Sequence, residues 1–433
     1  MTPLRRVVSG TAVSAGSVIL LAIAQIASVP ILTYSWGLER YGVWVMLSTI
    51  PSYLALSDLG FSSAATSKMS GQFARGELQQ LKCTFQSVWL LNGFLSVVVI
   101  ALATIAIFVL LPHFPLFYRE RAVLFYLLIY SALVMNTRVW LGAFRATHNY
   151  ATGTLLYDAW LPIEMLASLV AVYVGGDLVS AAATMLGMRI ISSLIMGFLL
   201  RRRLRWLTLG VQAASFAEVR QLAPPAFGAL AIPIALSLNL QGTLLVAGLA
   251  ISPTAAATLA AVRTVTRSAI QAVAVVNRAT MPELAAAWAL KHTDLFKRMV
   301  AVNLGSLAIV LLPASAIFAF FGKSIVDVWT HGAIQPSANF IFLMALALPI
   351  HGYWYFTLNL LLASNQHTKI SLQLAIVAAA ALIPSAIMAK LFDLNGIACT
   401  LLCFEATCGL LVTNCFRTAY YNTKGPDTRM TVA

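Results

Sequence analysis

The chain has 433 residues, of which 60% are hydrophobic and only 10% charged, with a formal net charge of +14 and a mean hydropathy of +0.86. Soluble domains carry about 25% charged residues, so this composition excludes an ordinary water-soluble protein and points to a chain threaded through a membrane. The positive balance would suit nucleic acid, but its distribution along the chain argues against that.

Apolar runs long enough to cross the hydrocarbon core, about 20 residues each, are expected at 12–35, 41–62, 84–111, 121–143, 153–175, 178–200, 222–250, 255–277, 298–322, 337–362, 369–391 and 396–417. That makes twelve helical spans. None alternates polar and apolar residues as strands of a membrane barrel do. The opening "RRVVSGTAVSAGSVILLAIA" resembles a signal peptide, but its apolar run is too long for one, so a retained first helix is expected. The longest polar stretches are 63–83, 201–221, 279–297 and the tail after 417. None reaches the roughly 50 residues of a small domain, which disfavours chemistry housed in a large loop.

With the N-terminus inside, nineteen of the 28 Lys and Arg fall on the cytoplasmic side, against five outside: Arg40, Arg119, Arg121, Lys323 and Lys390. This is the positive-inside bias of an even number of spans with both ends cytoplasmic. "RRRLRW", Arg201 to Trp206, is a stop signal that also attracts anionic headgroups, so no nucleic-acid partner is expected. "GKS" at Gly322 to Ser324 lacks the glycine of a phosphate loop five positions earlier, where Ile317 stands. Four of five cysteines (Cys399, Cys403, Cys408, Cys415) share one apolar helix without zinc spacing, and the six histidines are scattered. No metal, cofactor or catalytic residue is expected.

The basic stretch 201–221 separates two sets of six spans. One offset brings Arg6 onto Arg220, Gln25 onto Asn239 and Ala65-Thr66 onto Ala279-Thr280, and "ATHNY" at 146–150 faces "ASNQH" at 363–367 at a nearby offset. The expected organisation is therefore an N-terminal six-helix lobe over 1–200, a cytoplasmic linker over 201–221 and a C-terminal six-helix lobe over 222–433. Transporters place substrate sites between such repeated halves.

Charges deep in a span are costly and usually face an interior or a cavity. Counting depth at 1.5 Å per residue puts Arg138 level with Asp158, and Glu164 level with Arg189, on consecutive spans. Two cross-helix ion pairs are expected, Arg138–Asp158 and Glu164–Arg189, serving lobe packing or ion coupling. Asp58, near the inner end of its span, is expected as a cap or salt-bridge partner more than as a coupling site. In "LAAVRTVTRSAI", Leu259 to Ile270, Arg263 and Arg267 stand four residues apart and so share a helix face. Glu405 is the single acid in the later spans, and it pairs with at most one of them.

"GLERYGVWVMLSTIPSYLALSDLGFSSAATSKMSG", Gly37 to Gly71, carries Tyr41-Gly42 after a short loop and the turn Asp58-Leu59-Gly60. Together with "WLGAFRATHNYATGTLLYDAW", Trp140 to Trp160, it resembles the polysaccharide exporters and O-antigen flippases of the multidrug/oligosaccharidyl-lipid/polysaccharide exporter superfamily. The resemblance implies an all-α, MATE-like (multidrug and toxic compound extrusion) fold: two six-helix bundles enclosing a cavity, opened to each side in turn. It implies a bacterial inner-membrane flippase that turns a polyprenyl-diphosphate-linked oligosaccharide from the cytoplasmic to the periplasmic leaflet, for surface polysaccharide synthesis. The implied partners are that lipid-linked oligosaccharide, membrane lipid and the polysaccharide polymerase machinery. Twelve spans depart from the fourteen of the related lipid II flippases, which puts in doubt how the lipid tail is held.

Spans one, two, seven and eight line such cavities, and Arg263 and Arg267 fall on the eighth. A guanidinium fork suits phosphate through paired charge-assisted hydrogen bonds, so both arginines are candidate substrate contacts, with Thr264, Thr266 and Ser268 as added donors. The competing reading is an arginine that snorkels to an interface. Gln25, Asn239 and Gln241 are candidates for the sugar hydroxyls, or for interhelical hydrogen bonds. Two rivals remain. A multidrug or cation antiporter of the same superfamily would need exposed acids in the cavity. A membrane glycosyltransferase or polymerase would need acids or histidines on one external loop, where Asp327 and His331 are the nearest approach.

Overall fold

The computed structural model describes residues 3–424 apart from 55, 57, 59, 110, 114 and 365. Among these residues all regular structure is helical. In chain order the helices are α1 (Pro3–Leu47), α2 (Thr49–Leu54), α3 (Phe61–Ala74), α4 (Leu78–Val109), α5 (Pro115–Arg119), α6 (Arg121–Ala146), α7 (Tyr150–Tyr157), α8 (Trp160–Tyr173), α9 (Leu178–Arg203), α10 (Phe216–Ser237), α11 (Thr243–Ala250), α12 (Pro253–Ala289), α13 (Thr293–Trp329), α14 (Ala338–Ala363) and α15 (Thr368–Lys424). A π-turn, Leu238–Gly242, joins α10 to α11.

Among the described residues, ten helical stretches are long and apolar enough to cross a membrane. Two of them contain a backbone break, at Gly37 (φ 78°) in α1 and at Phe392–Asp393 in α15, so each holds two of the expected spans. The chain is a multi-pass membrane protein with the expected twelve-span layout. Several expected spans are not single helices. The run 41–62 ends its first helix at Leu47, continues as α2, and turns before α3. The run 153–175 is broken between α7 and α8, where Asp158 and Ala159 stand.

The chain forms two compact units, Met1–Pro233 and Ile234–Ala433. The first is built on a buried cluster that includes Met69, Phe85, Val139, Phe144, Met196 and Leu200. The stretch between α9 and α10 packs on this cluster through Leu204 and Leu207. It is also tied to α4, where Gln86 Nε2 donates to the Thr208 carbonyl at 2.8 Å and the Ala213 amide donates to Gln86 Oε1 at 2.7 Å. The turn before α3 needs glycine. Gly60 has φ +78°, and a Cβ there would sit 2.3 Å from the Ala226 carbonyl oxygen, a closeness no side chain tolerates.

In the second unit α12, α13 and α14 pack on one another around Leu307, Leu311, Leu348 and Phe356. Helix starts follow familiar capping chemistry. Ser252 Oγ accepts from the Ala255 amide with Pro253 in the first turn of α12, and Ser337 Oγ accepts from the Phe340 amide to start α14. Asp177 does the same for α9, accepting the Ser180 amide and hydroxyl at 2.8 Å each.

Candidate functional site

In the first unit the intramembrane charges form a connected ladder. Glu164 on α8 and Arg189 on α9 meet at 2.8 Å, both fully buried. Tyr130 on α6 donates its hydroxyl to Glu164 Oε2 at 2.9 Å, and its ring lies under the Arg189 guanidinium at 5.4 Å. The Tyr157 ring takes another face of Arg189 at 5.5 Å, and the Tyr157 hydroxyl accepts from Arg138 Nε at 3.1 Å. Arg138 faces Asp58 at 3.9 Å, and Asp158 accepts from Arg145 at 2.9 Å. Each member of the expected Arg138–Asp158 pair thus has a charge partner other than the one sequence depth suggested. Arg145 lies in the last turn of α6, and Asp158 directly follows α7. Asp58 is buried and also closes its own turn, accepting the Gly60 amide at 3.0 Å.

A cavity of about 280 Å³ adjoins this ladder, walled by Ser48, Ser52, Tyr130, Ser131, Val134 and Met185. Tyr130 is therefore both a wall of the cavity and a ligand of Glu164. Gln25, on α1 of the same unit, is half-buried.

The second unit carries a separate network centred on Glu405 of α15. Its Oε1 accepts from Asn239 Nδ2 at 3.3 Å, and its Oε2 accepts from the Trp354 indole and lies 3.0 Å from His351 Nδ1. Asn239 sits in the π-turn. Such turns widen the helix and loosen its backbone bonding. Here Arg263 supplies donors to that backbone, Nη1 to the Leu240 carbonyl at 2.7 Å and Nη2 to the Asn239 carbonyl at 3.1 Å. Arg263 is 7% exposed and within electrostatic reach of Glu405.

Arg267, one turn along α12, is different. Its side chain is exposed. Among the described residues it makes no hydrogen bond or ion pair, and Tyr355 of α14 lies within its electrostatic reach. The two arginines expected to act alike are therefore a buried brace and an accessible cation. The hydroxyls of Thr264, Thr266 and Ser268 turn back to carbonyls of their own helix at 2.9–3.3 Å. Asn239 is buried and held by Glu405, and Gln241 in the same π-turn is half-buried.

Sequence reasoning missed His351, Trp354 and Tyr355 as members of this network. Their ring contacts, with His351 stacked on Tyr355 at 5.9 Å and edge-on to Trp354 at 5.0 Å, follow from "HGYWYF". An aromatic cluster beside a lone histidine was the available signal.

No family model matches this sequence, and no curated protein does. The fold has clear relatives among solved structures. The inward-facing conformation of a multidrug resistance MATE family transporter of the MOP superfamily superposes with a TM-score of 0.75 at 13% identity, over 94% of this chain and 99% of that one. The MATE multidrug transporter DinF-BH in complex with R6G gives 0.68 at 13% identity, over 96% of this chain and 95% of that one. An outward-facing MATE family transporter gives 0.62 at 14% identity, over 96% and 98%. At these identities the likeness shows the fold, which is MATE-like.

Proposed function

We propose that this chain is an alternating-access membrane transporter for an anionic, sugar-bearing lipid: a flippase for polyprenyl-diphosphate-linked oligosaccharide in a bacterial inner membrane. The observation that carries this reading is Arg267, an exposed cation in the apolar stretch Pro253–Asn277. An unmatched guanidinium in such a place suits an arriving phosphate. The deep acids that a cationic cargo would need are engaged elsewhere: Asp58 with Arg138, Glu164 with Arg189, and Glu405 with Asn239, His351 and Trp354. Arg263, bound to two carbonyls, supports the site and leaves the phosphate to Arg267. The resemblance around Asp58 and Trp140 points to the same cargo class.

The fold neighbours are multidrug transporters by name, and export of a cationic drug is the second reading. Both are tested together in vesicles holding the purified protein. The labelled cargo is an undecaprenyl-diphosphate oligosaccharide, with R6G as the cationic alternative. Under an inside-negative potential the unaltered protein should flip the lipid, Arg267→Ala should abolish flipping while still inserting and folding, and Arg267→Lys should restore little. Lipid flipping undiminished in Arg267→Ala removes the arginine from the site. R6G export without lipid flipping establishes the second reading.

A further inference from the structure

A stripe of α12 leads away from Arg267. Ile270, Ala274 and Asn277 follow at spacings of three, four and three residues, which keeps them on the same helix face as Arg267. These three, with Asn303 of α13 and Tyr355 and Gly352 of α14, line one small pocket. Its free volume is about 10 Å³, room for a single hydroxyl, amide N–H or water.

Two amide oxygens in this pocket's wall accept nothing. Asn277 and Asn303 are 6% and 1% exposed, and the Oδ1 of each has no hydrogen-bond partner. The orientation of Asn303 follows from its other end, since its Nδ2 donates to Thr280 Oγ1 at 2.7 Å and to the Met299 carbonyl at 2.9 Å. A carbonyl can only accept, so the nitrogen must face Met299 and the oxygen must face away. A buried acceptor left unmade is costly. Two in one pocket therefore call for a donor. The half-buried Tyr355, which is within reach of Arg267, joins the pocket to the exposed end of the stripe.

We propose that Asn277 and Asn303 form a hydroxyl-accepting subsite in line with Arg267, which takes a hydroxyl or acetamido N–H of the sugars attached to the diphosphate. This rests on the cargo proposed above. Ten residues of helix separate Arg267 from Asn277, about 15 Å at 1.5 Å per residue, a span that a diphosphate and one or two sugars cover.

The test compares two probes on the full chain in lipid nanodiscs by calorimetry: farnesyl diphosphate, and farnesyl diphosphate carrying an N-acetylated disaccharide. The sugar-bearing probe should bind about tenfold tighter, the worth of one well-made buried hydrogen bond. Asn277→Leu should reduce that ratio to near one. If Asn277→Leu does not fold, Asn277→Ser, too short to reach the ligand, serves in its place. Arg267→Ala should weaken both probes and leave their ratio. If the unaltered protein binds both probes equally, or the preference survives loss of Asn277, the subsite is overturned and a resident water satisfies the two oxygens. If neither probe binds, the anionic-cargo reading falls and the subsite falls with it.

Discussion

At the scale of single residues, a side chain's role here follows from what its charged atoms touch. Arg189 and Glu164 are both fully buried and share one hydrogen-bonded contact, with Tyr130 and Tyr157 rings completing the guanidinium's surroundings. Removing one member of such a pair strands the other charge, which costs about 3–5 kcal/mol, whereas replacing both with apolar groups is often neutral. Arg189→Met should therefore sharply lower the unfolding temperature in detergent, and Glu164→Leu/Arg189→Met should recover most of the loss. Additive losses in the double variant would show that the pair is not a unit. Asp177 gives a residue-scale pH prediction outside the membrane. Its carboxyl is held below the usual carboxylate range because it accepts the Ser180 amide and hydroxyl that open α9. A lowered folded value stabilises the protein above the ordinary carboxylate range and is lost as pH falls through the lowered value. Asp177→Ala should cost about 1 kcal/mol at neutral pH, and the gap between variant and parent should close in acid.

At the scale of elements, the decisive feature is the π-turn between α10 and α11. Its carbonyls at Asn239 and Leu240 are bound by the fork of Arg263, and its Asn239 amide is bound by Glu405. A lysine carries its three donors on one nitrogen and lacks the two-nitrogen fork, so it cannot reproduce the two contacts that Arg263 makes from Nη1 and Nη2. Hydrogen bonds from charged groups are worth about 1.5–3 kcal/mol each, so Arg263→Lys should speed amide hydrogen exchange over 238–243 by about tenfold or more. Unchanged exchange there would mean the turn holds itself. Sequence periodicity marked 222–250 as one unbroken span because a π-turn keeps the hydrophobic pattern while altering the backbone bonding. The same limit hid the break between α7 and α8, whose residues remain apolar on both sides.

At the scale of the whole molecule, each of the two compact units holds its own buried polar network, and the proposed cargo is charged. A diphosphate carrying about two negative charges gains about 4.6 kcal/mol per 100 mV on leaving an inside-negative compartment. For the proposed cargo, flipping in vesicles should therefore rise with an inside-negative potential and fall when the sign is reversed. Indifference to the potential would mean that the cargo crosses with its charge fully compensated.

Much of this protein was legible without coordinates. Membrane residence, an all-helical chain and its twelve spans follow from hydropathy alone, because a bilayer leaves few ways to satisfy a backbone. The nearness of Glu164 and Arg189 followed from counting depth along consecutive helices. Depth does not state azimuth, the direction in which a side chain leaves its helix. That is why Arg138 meets Asp58, why Asp158 meets Arg145, and why two arginines on one face split into a brace and an exposed cation. The pairing of Asn277 with Asn303 in one pocket has no trace in spacing, since they stand on different helices. Composition and periodicity determined what kind of object this is, because they report the solvent each segment must live in. Tertiary structure alone decided which polar atoms find partners, because that depends on how neighbouring helices are rotated against one another.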